Sequence, residues 1–443
     1  MGLGLLGRGV GDVAFLMECG ADIIVTDLKT EDELIESIKK LEEVSNRLDR
    51  KVNLKYTFGE HKIEDFNDRD LILVAAGVPT DSIYLAHARK NPMTEITQSA
   101  TLFARLSNIP MIGVTGTRGK STVTNMIHHV LETVTGEKVI KGGNIRGVSN
   151  LQLLKEIKKD SLAVFELDSW QLQGFGWASI SPQIAVFTTF MDDHLNYYKG
   201  DVDAYFADKA NIFLNQDDGG VFVTTPTVFQ RVKKFAEGKN ITLGQEVLLV
   251  DSSLIPEDAH LAMPGEHNRL NAALTLSACR AMGISDDEIF EALASFKGVE
   301  GRLQLLANYN GVKIYNDNNA TTPEATVAGL KAVGNNKNVI LIMGGADKDI
   351  DLNVLVSTLP DFCKKIILLP GKGTDRLKTM LDGTVSFDTV SSLKEAVEKA
   401  VSFAERSDVI LFSPAFASFG LFKNEYDRND QFLSLIQPYV DPA

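Results

Sequence analysis

Cysteine is scarce. The 443 residues hold three, Cys19, Cys279 and Cys363, with no paired spacing. That excludes a disulfide framework and a cysteine zinc site, and fits a reducing cytoplasm. Long apolar runs are missing as well. No uninterrupted stretch approaches the ~20 residues of a membrane span, so no membrane insertion is expected. The opening residues carry glycine turns rather than the basic-then-apolar layout of a signal peptide. There is no basic block. The net charge is −14 and the pI about 5.1, which argues against nucleic acid or an anionic membrane surface as the main partner. Neither an internal repeat nor a low-complexity tract is visible. The composition is that of an ordinary globular protein, long enough for about three domains at roughly 150 residues each.

The most informative segment is Ile112-Gly113-Val114-Thr115-Gly116-Thr117-Arg118-Gly119-Lys120-Ser121-Thr122. An apolar run over 109–114 reads as a buried strand, and a helical pattern follows over 123–133. Strand, glycine turn, Lys-Ser and helix together form a phosphate cradle. The glycines let backbone N–H groups approach phosphate oxygens, and the helix start adds partial positive charge. Lys120 would reach the terminal phosphates and the Ser121 hydroxyl would take Mg²⁺. The loop is the tight Gly-x-x-Gly-Lys-Ser form, with Val114 where the longer pattern has glycine.

Three blocks emerge, over 1–93, 94–298 and 299–443. The first opens with Gly2-Leu3-Gly4-Leu5-Leu6-Gly7, followed by a helix, a strand over 21–26, and Asp27 twenty residues after the third glycine. This is a dinucleotide-type fingerprint. A strand over 70–75 then runs into Ala76-Gly77-Val78-Pro79. The strand that should precede Gly2 is not in the sequence, so the first half-fold is expected to lack its central strand or to start late. In the second block, strands are expected over 162–167 and 183–188. In the third they are expected over 312–315, 339–343, 365–369 and 409–412. Strand and helix alternate throughout, which predicts an α/β fold of mostly parallel sheets with ligands at the carboxyl ends of the strands.

Those strand ends carry a set of polar residues. Glu166 could complete a Mg²⁺ shell begun by Ser121. Asp192-Asp193-His194 follow a strand and a turn. Lys209 lies on a helix one turn after Tyr205, and Asn268 and Asn271 share one helix face. Arg302 opens the third block, Asp317 ends a strand, and Gly344-Gly345-Ala346-Asp347-Lys348 follows another. Singly, each has a plainer reading: a solvated cap for Glu166, a surface ion pair for His194, a solvent-facing lysine for Lys209, a helix cap for Asn268.

Taken together, the segments resemble the Mur ligases, over essentially the whole chain. The resemblance is carried by the phosphate loop, Gly142-Gly143-Asn144-Ile145, Glu166-Leu167-Asp168-Ser169-Trp170-Gln171-Leu172, Asp193-His194-Leu195, Tyr205-Phe206-Ala207-Asp208-Lys209 and Pro264-Gly265-Glu266-His267-Asn268-Arg269-Leu270-Asn271. It extends to Asn316-Asp317-Asn318-Asn319-Ala320-Thr321 and Ser413-Pro414-Ala415-Phe416-Ala417-Ser418-Phe419. The last two are closest to the branch that adds D-glutamate to UDP-N-acetylmuramoyl-L-alanine.

The resemblance implies three domains: a Rossmann-like UDP-binding domain, a central P-loop ATPase-type domain, and a Rossmann-like domain for the amino acid. It implies an ATP-dependent amide ligase of peptidoglycan-precursor synthesis working through an acyl phosphate, cytoplasmic, monomeric and served by small-molecule partners. Gly116, Thr117, Gly119, Lys120, Ser121 and Thr122 would hold the ATP phosphates. Asn268 and Asn271 would contact adenine, Asp317 the ribose, and Arg302 the phosphates. Ser121 and Glu166 would hold one Mg²⁺, and His194 the second with a carbamylated Lys209. Lys120, His194, Lys209 and Asn144 would be catalytic, Asn144 also holding the acyl substrate. Gly4, Leu5, Asp27 and Gly77 would cradle UDP, and Thr321, Lys348 and Ser418 would grip the amino acid.

There are departures from the family pattern. Asn319 stands where this branch usually has lysine, Asp168 replaces serine, and Glu425 sits where an aromatic is common. Arg118 replaces asparagine, Gly420 replaces an acid, Asn196 replaces aspartate, and Leu28-Lys29 stand for Thr-Arg. These keep open a related ligase that adds another amino acid, such as L-glutamate, or uses another acyl acceptor. The glycine fingerprint alone would also suit an NAD-dependent oxidoreductase, but that leaves the Lys120 loop unexplained. A catalytically silent ligase-like binding protein is opposed by the retained Lys120, Glu166, His194 and Lys209.

Overall fold

The computed structural model describes residues 1–440 except Leu6, Glu137, Ala262, Asp382 and Thr384. Leu6 of the glycine fingerprint and the end of the third block, 441–443, therefore lie outside the described residues. The chain forms two compact units, Met1–Leu254 with Ala273–Ala292, and Ile255–Ala272 with Leu293–Ala443.

The first unit begins with two small parallel sheets. Strand Ile23–Asp27 pairs with Leu54–Phe58, and strand Leu71–Leu73 pairs with Glu95–Thr97. Met1 and Gly2 stitch the two together. The Met1 amine donates to Leu73 O (2.9 Å), Ala75 N–H donates to Met1 O (2.9 Å), and Gly2 N–H donates to Thr26 O (2.8 Å). A cavity of about 740 Å³ is lined by residues of both sheets, Ile24 and Ile72 among them, together with Leu16. The charged segment after Asp27 forms the helix Glu31–Arg47. Thr30 and Glu33 close a capping box, three acids fill the first turn, and Leu34, Ile38 and Leu41 bury one face.

The rest of this unit is built on a six-stranded, wholly parallel sheet. Its order is Glu246–Leu249, Val221–Thr224, Ile184–Phe187, Met111–Thr115, Ala163–Glu166 and Ile140–Gly143. Met111–Thr115 is buried at every position, as a central parallel strand covered on both faces must be. It runs directly into the glycine loop. Helix Lys120–Thr135 then packs back through Val123, Ile127, Val130 and Leu131. Phe103, Phe165, Phe187 and Phe206 stack in the core around this sheet.

The second unit holds another six-stranded sheet, in the order Gln304–Tyr309, Val312–Asn316, Val409–Phe412, Val339–Met343, Cys363–Leu368 and Phe387–Thr389. Only the first pair is antiparallel. Asp317, Ser413 and Gly344 follow the three adjacent strands Val312–Asn316, Val409–Phe412 and Val339–Met343. They therefore share the carboxyl edge, where α/β sheets bind ligands.

Candidate functional site

The glycine loop is shaped by close approach. A Cβ on Gly116, at φ 144°, would stand 2.0 Å from Thr188 Oγ1, so only glycine lets the loop lie against the neighbouring strand end. Gly119 caps helix Lys120–Thr135 without any side-chain acceptor, so no cap competes for the first N–H groups of the helix. Lys120 Nζ bends back to Gly116 O (3.0 Å) and Thr117 O (3.3 Å).

Lys209 converges on the same carbonyl. It sits on helix Val202–Ala210, is 1% exposed, and donates to Gly116 O (2.9 Å) and Thr115 Oγ1 (3.4 Å). Burial draws its ammonium well below the usual lysine range, and the charge of Lys120 adds to that. Two lysines therefore share one carbonyl oxygen at the mouth of the loop. A solvent-facing Lys209, the ordinary expectation for a helix lysine, is not what the fold makes.

Glu166 ends strand Ala163–Glu166 opposite Val114, one strand over from the loop. Gly143, at φ 90°, brings Asn144 beside it: Asn144 N–H donates to Glu166 O at 2.7 Å. Asp168 proves to be a helix cap. Its Oδ1 accepts from Gln171 N–H (2.8 Å), and the Gln171 amide returns a bond, closing a capping box on Ser169–Ala178. His194 takes a left-handed backbone (φ 54°) between the rings of Trp170 (4.8 Å) and Tyr205 (5.9 Å). Burial, joined by Lys209 and Lys120 and opposed by Asp193, holds its imidazole below the ordinary value. A neutral imidazole is the form that binds a metal.

Among the described residues, no three His, Cys, Asp or Glu side chains gather into a metal cage. The Ser121 hydroxyl and the Glu166 carboxylate, on adjoining elements, are hard oxygen donors. They fit Mg²⁺, which takes one or two protein oxygens and completes its shell from phosphate and water. Lys209 as an amine does not fit as a ligand.

In the first block, Asp27 organises the glycine turn. Its carboxylate accepts from Gly4 N–H (3.0 Å) and Lys29 N–H (2.9 Å). Burial pushes its pKa up, but the N–H bonds of Lys29, Gly4 and Leu3 bring it below the usual range. Leu5 is exposed beside this turn, and Gly77 packs on the ring of Trp170. Sequence reading singled out Asn144 but passed over Arg8, whose Nη1 donates to Asn144 Oδ1 at 2.9 Å. The only signal in the sequence is a cation placed directly after the third glycine. Trp170 and Tyr205 wall in His194, a role that nothing in their local sequence signals.

The second unit holds Asn268, Asn271, Arg302, Asp317, Thr321, Lys348 and Ser418. Asn268 is buried, with Nδ2 on Pro264 O (2.8 Å) and Oδ1 accepting from Asn271 (3.1 Å). Asp317 is an internal latch. Leu303 N–H donates to Oδ1 (3.0 Å) and Ser413 Oγ to Oδ2 (2.9 Å), and burial pushes its carboxyl up to about 7. Lys348 Nζ reaches Thr321 Oγ1 at 3.2 Å, and Ala346 bridges to Ala417, next to Ser418. The three amino-acid candidates therefore sit on adjoining loops. Among the described residues the Glu425 carboxylate makes no direct ion pair with Lys423 or Arg428, although its charge acts on Arg428. The fully buried Arg428 instead donates to Asn318 Oδ1, Asn318 O and Phe416 O.

A family model for the Mur ligase middle domain matches residues 114–279, and one for the Mur ligase glutamate ligase domain matches 301–416. The chain belongs to the Mur ligase family. It is 32% identical over 452 residues, 98% of this chain and 96% of the other, to a Borreliella burgdorferi (strain ZS7) protein named UDP-N-acetylmuramoylalanine--D-glutamate ligase. A protein of the same name from Roseiflexus sp. (strain RS-1) is 33% identical over 470 residues, 99% and 98% of the two chains. The fold is similar to that of the solved UDP-N-acetylmuramate-alanine ligase MurC of Thermotoga maritima, with a TM-score of 0.58, 20% identity and 98% of each chain covered.

Proposed function

We propose that this chain is an ATP-dependent ligase that adds D-glutamate to UDP-N-acetylmuramoyl-L-alanine in peptidoglycan-precursor synthesis. The observation that carries this reading is end-to-end similarity above 30% identity to proteins of that name. Residues 1–93 hold the UDP end, 94–298 hold ATP, and 299–443 hold the amino acid; the enzyme is a cytoplasmic monomer.

A carboxylate is a poor acyl donor, so its oxygen must first become a leaving group. It attacks the γ-phosphorus of ATP, ADP departs, and an acyl phosphate forms. The amine of D-glutamate then attacks the acyl carbon, loses a proton, and phosphate leaves. The chain's part is to position these groups and to neutralise charge. The loop N–H groups and Lys120 grip the β- and γ-phosphates, Lys120 exchanging its loop carbonyls for phosphate oxygens. Ser121 and Glu166 would hold one Mg²⁺, and His194 with Lys209 the second. The metal supplies charge neutralisation at the transferring phosphoryl oxygens.

Lys209 serves as a carbamate. Its buried amine, crowded by Lys120, sheds its proton readily; the neutral nitrogen adds CO₂, releases a proton, and becomes an oxygen donor. Asn144 holds the acyl substrate. Asn268 and Asn271 face adenine, and Asp317 and Arg302 the ribose and phosphates. Lys348, Thr321 and Ser418 bind the carboxylates of the incoming amino acid.

The test is phosphate release from ATP and Mg²⁺ with UDP-N-acetylmuramoyl-L-alanine, across D-Glu, L-Glu and other amino acids. Release that requires D-Glu, with the matching mass gain on the nucleotide, supports the reading. Release with another amino acid would reassign the pocket while keeping the chemistry. That second reading is favoured by the carboxylate at Glu425 and by Asn319 in place of lysine. For the carbamate, Lys209→Ala should lose activity and regain part of it with short carboxylic acids.

A further inference from the structure

Arg8 lies in the first block, Asn144 at the end of a strand of the six-stranded sheet, and their side chains meet at 2.9 Å. The contact is anchored on both sides. Arg8 opens helix Arg8–Cys19, and that helix is pinned to the segment after Asn144 by three further bonds. Ser149 Oγ donates to Asp12 Oδ1 (2.6 Å), Leu151 N–H to the same oxygen (3.3 Å), and Gln152 Nε2 to Gly11 O (3.2 Å). On the other side, Asn144 is held through its own N–H on Glu166 O.

The chemistry of the pair fixes its direction. A guanidinium carries donors only, so the amide atom facing Arg8 must be Oδ1. The Asn144 N–H₂ group is therefore turned away from Arg8, and among the described residues it donates to no acceptor of the chain. The Arg8 side chain makes no other hydrogen bond among the described residues, and its charge also acts on the buried Asp12 carboxylate. Both groups are half-buried rather than splayed into solvent. The result is a guanidinium and an amide N–H₂ held side by side, donors at both ends, next to the glycine turn that Asp27 organises.

We propose that Arg8 is a substrate-binding residue: with Asn144, whose amide it orients, it forms an oxyanion subsite for the diphosphate of a nucleoside-diphosphate substrate. This rests on the ligase reading above and extends it to a residue that reading does not use. Arginine suits the task because its planar fork matches paired phosphate oxygens, and charge-assisted bonds are the strong ones. A carboxylate at the far end of the substrate offers similar oxygens. The diphosphate is preferred because Arg8 follows the glycine turn directly.

The experiment is calorimetric binding of UDP, of UDP-N-acetylmuramoyl-L-alanine and of ADP to the whole chain and to three variants. Arg8→Leu should weaken UDP and the full nucleotide substrate by the same factor, about 10- to 100-fold, and leave ADP unchanged. Arg8→Lys, which keeps the charge without the fork, should fall between. Asn144→Asp should pair with Arg8, melt no lower than the parent, and still bind UDP more weakly than Arg8→Leu, a split that loss of structure would not produce. Unchanged UDP affinity in Arg8→Leu overturns the proposal, including the case where only the full substrate is weakened, because the anion would then be the carboxylate. An unmodified chain that binds neither uridine nucleotide overturns the ligase reading and this proposal with it. Binding of both without D-glutamate transfer overturns only the choice of amino acid.

Discussion

Asp317→Asn should stabilise the second unit, by an amount that grows with pH. Asp317 is buried and accepts one N–H and one hydroxyl, and the charge of Arg302 offsets only part of the cost of its burial. Its carboxyl titrates near 7 in the folded chain against an ordinary 3.8. The folded state therefore keeps a proton that the unfolded state gives up across that interval. Stability is full below about pH 4, falls as pH rises towards 7, and stays low above it. About three pH units at 1.36 kcal/mol each set an upper limit near 4 kcal/mol. Asparagine carries no such cost and keeps the contacts: Oδ1 still accepts from Leu303, while Ser413 Oγ accepts from Nδ2 and turns its one proton to Thr326 Oγ1, 2.9 Å away. The assay is urea unfolding by circular dichroism at pH 4, 6 and 8, with hydrogen exchange at Leu303 reporting on this unit. The two proteins should coincide at pH 4 and separate most at pH 8. A constant gap, or an asparagine variant that is weaker at pH 8, would refute the reasoning. If Asp317 also meets the ribose, the same variant should show a raised KM for ATP, a stability gain set against function.

Three further outcomes follow from the geometry. Lys209→Met should abolish ligation yet raise the melting temperature, because it replaces a buried amine whose desolvation costs about 1–3 kcal/mol, while Lys120 still donates to Gly116 O; calorimetry showing a large destabilisation would count against it. Gly116→Ala should weaken ADP binding about 100-fold, since a Cβ 2.0 Å from Thr188 Oγ1 displaces the loop by a fraction of an ångström or more; isothermal titration decides this. Arg428→Met should cost about 3 kcal/mol or more by leaving Asn318 Oδ1, Asn318 O and Phe416 O without their donor. Its denaturation midpoint should fall, and any surviving activity should show a raised KM for the amino acid before a lowered kcat.

What could be read without coordinates was whatever depends on local order along the chain. Met111–Thr115, Val339–Met343 and Val409–Phe412 are buried on both faces, so each had to be a continuous apolar run, and each stood out as one. The Lys120 loop was legible for a related reason: a phosphate cradle is built from consecutive residues, and its glycines and lysine must appear in that order. Strands Leu54–Phe58 and Glu246–Leu249 were not foreseen, because they are only partly buried and carry no such run. The roles of isolated polar residues were the hardest to foresee, because a role depends on what lies opposite. Nothing local tells Lys209 from a solvent-facing helix lysine; only the packing of helix Val202–Ala210 onto the loop buries its amine beside Lys120. Asp168 is one more acid two residues after Glu166, and the fold uses it as a helix cap. Asp317 reads locally as a strand-end acid, and tertiary structure closes both its oxygens with donors from Leu303 and Ser413. Arg8 carried almost no signal, since its partner Asn144 lies 136 positions away. Sequence order determined the scaffold and the nucleotide loop, while distances across the fold decided which charges are buried, paired or left facing a ligand.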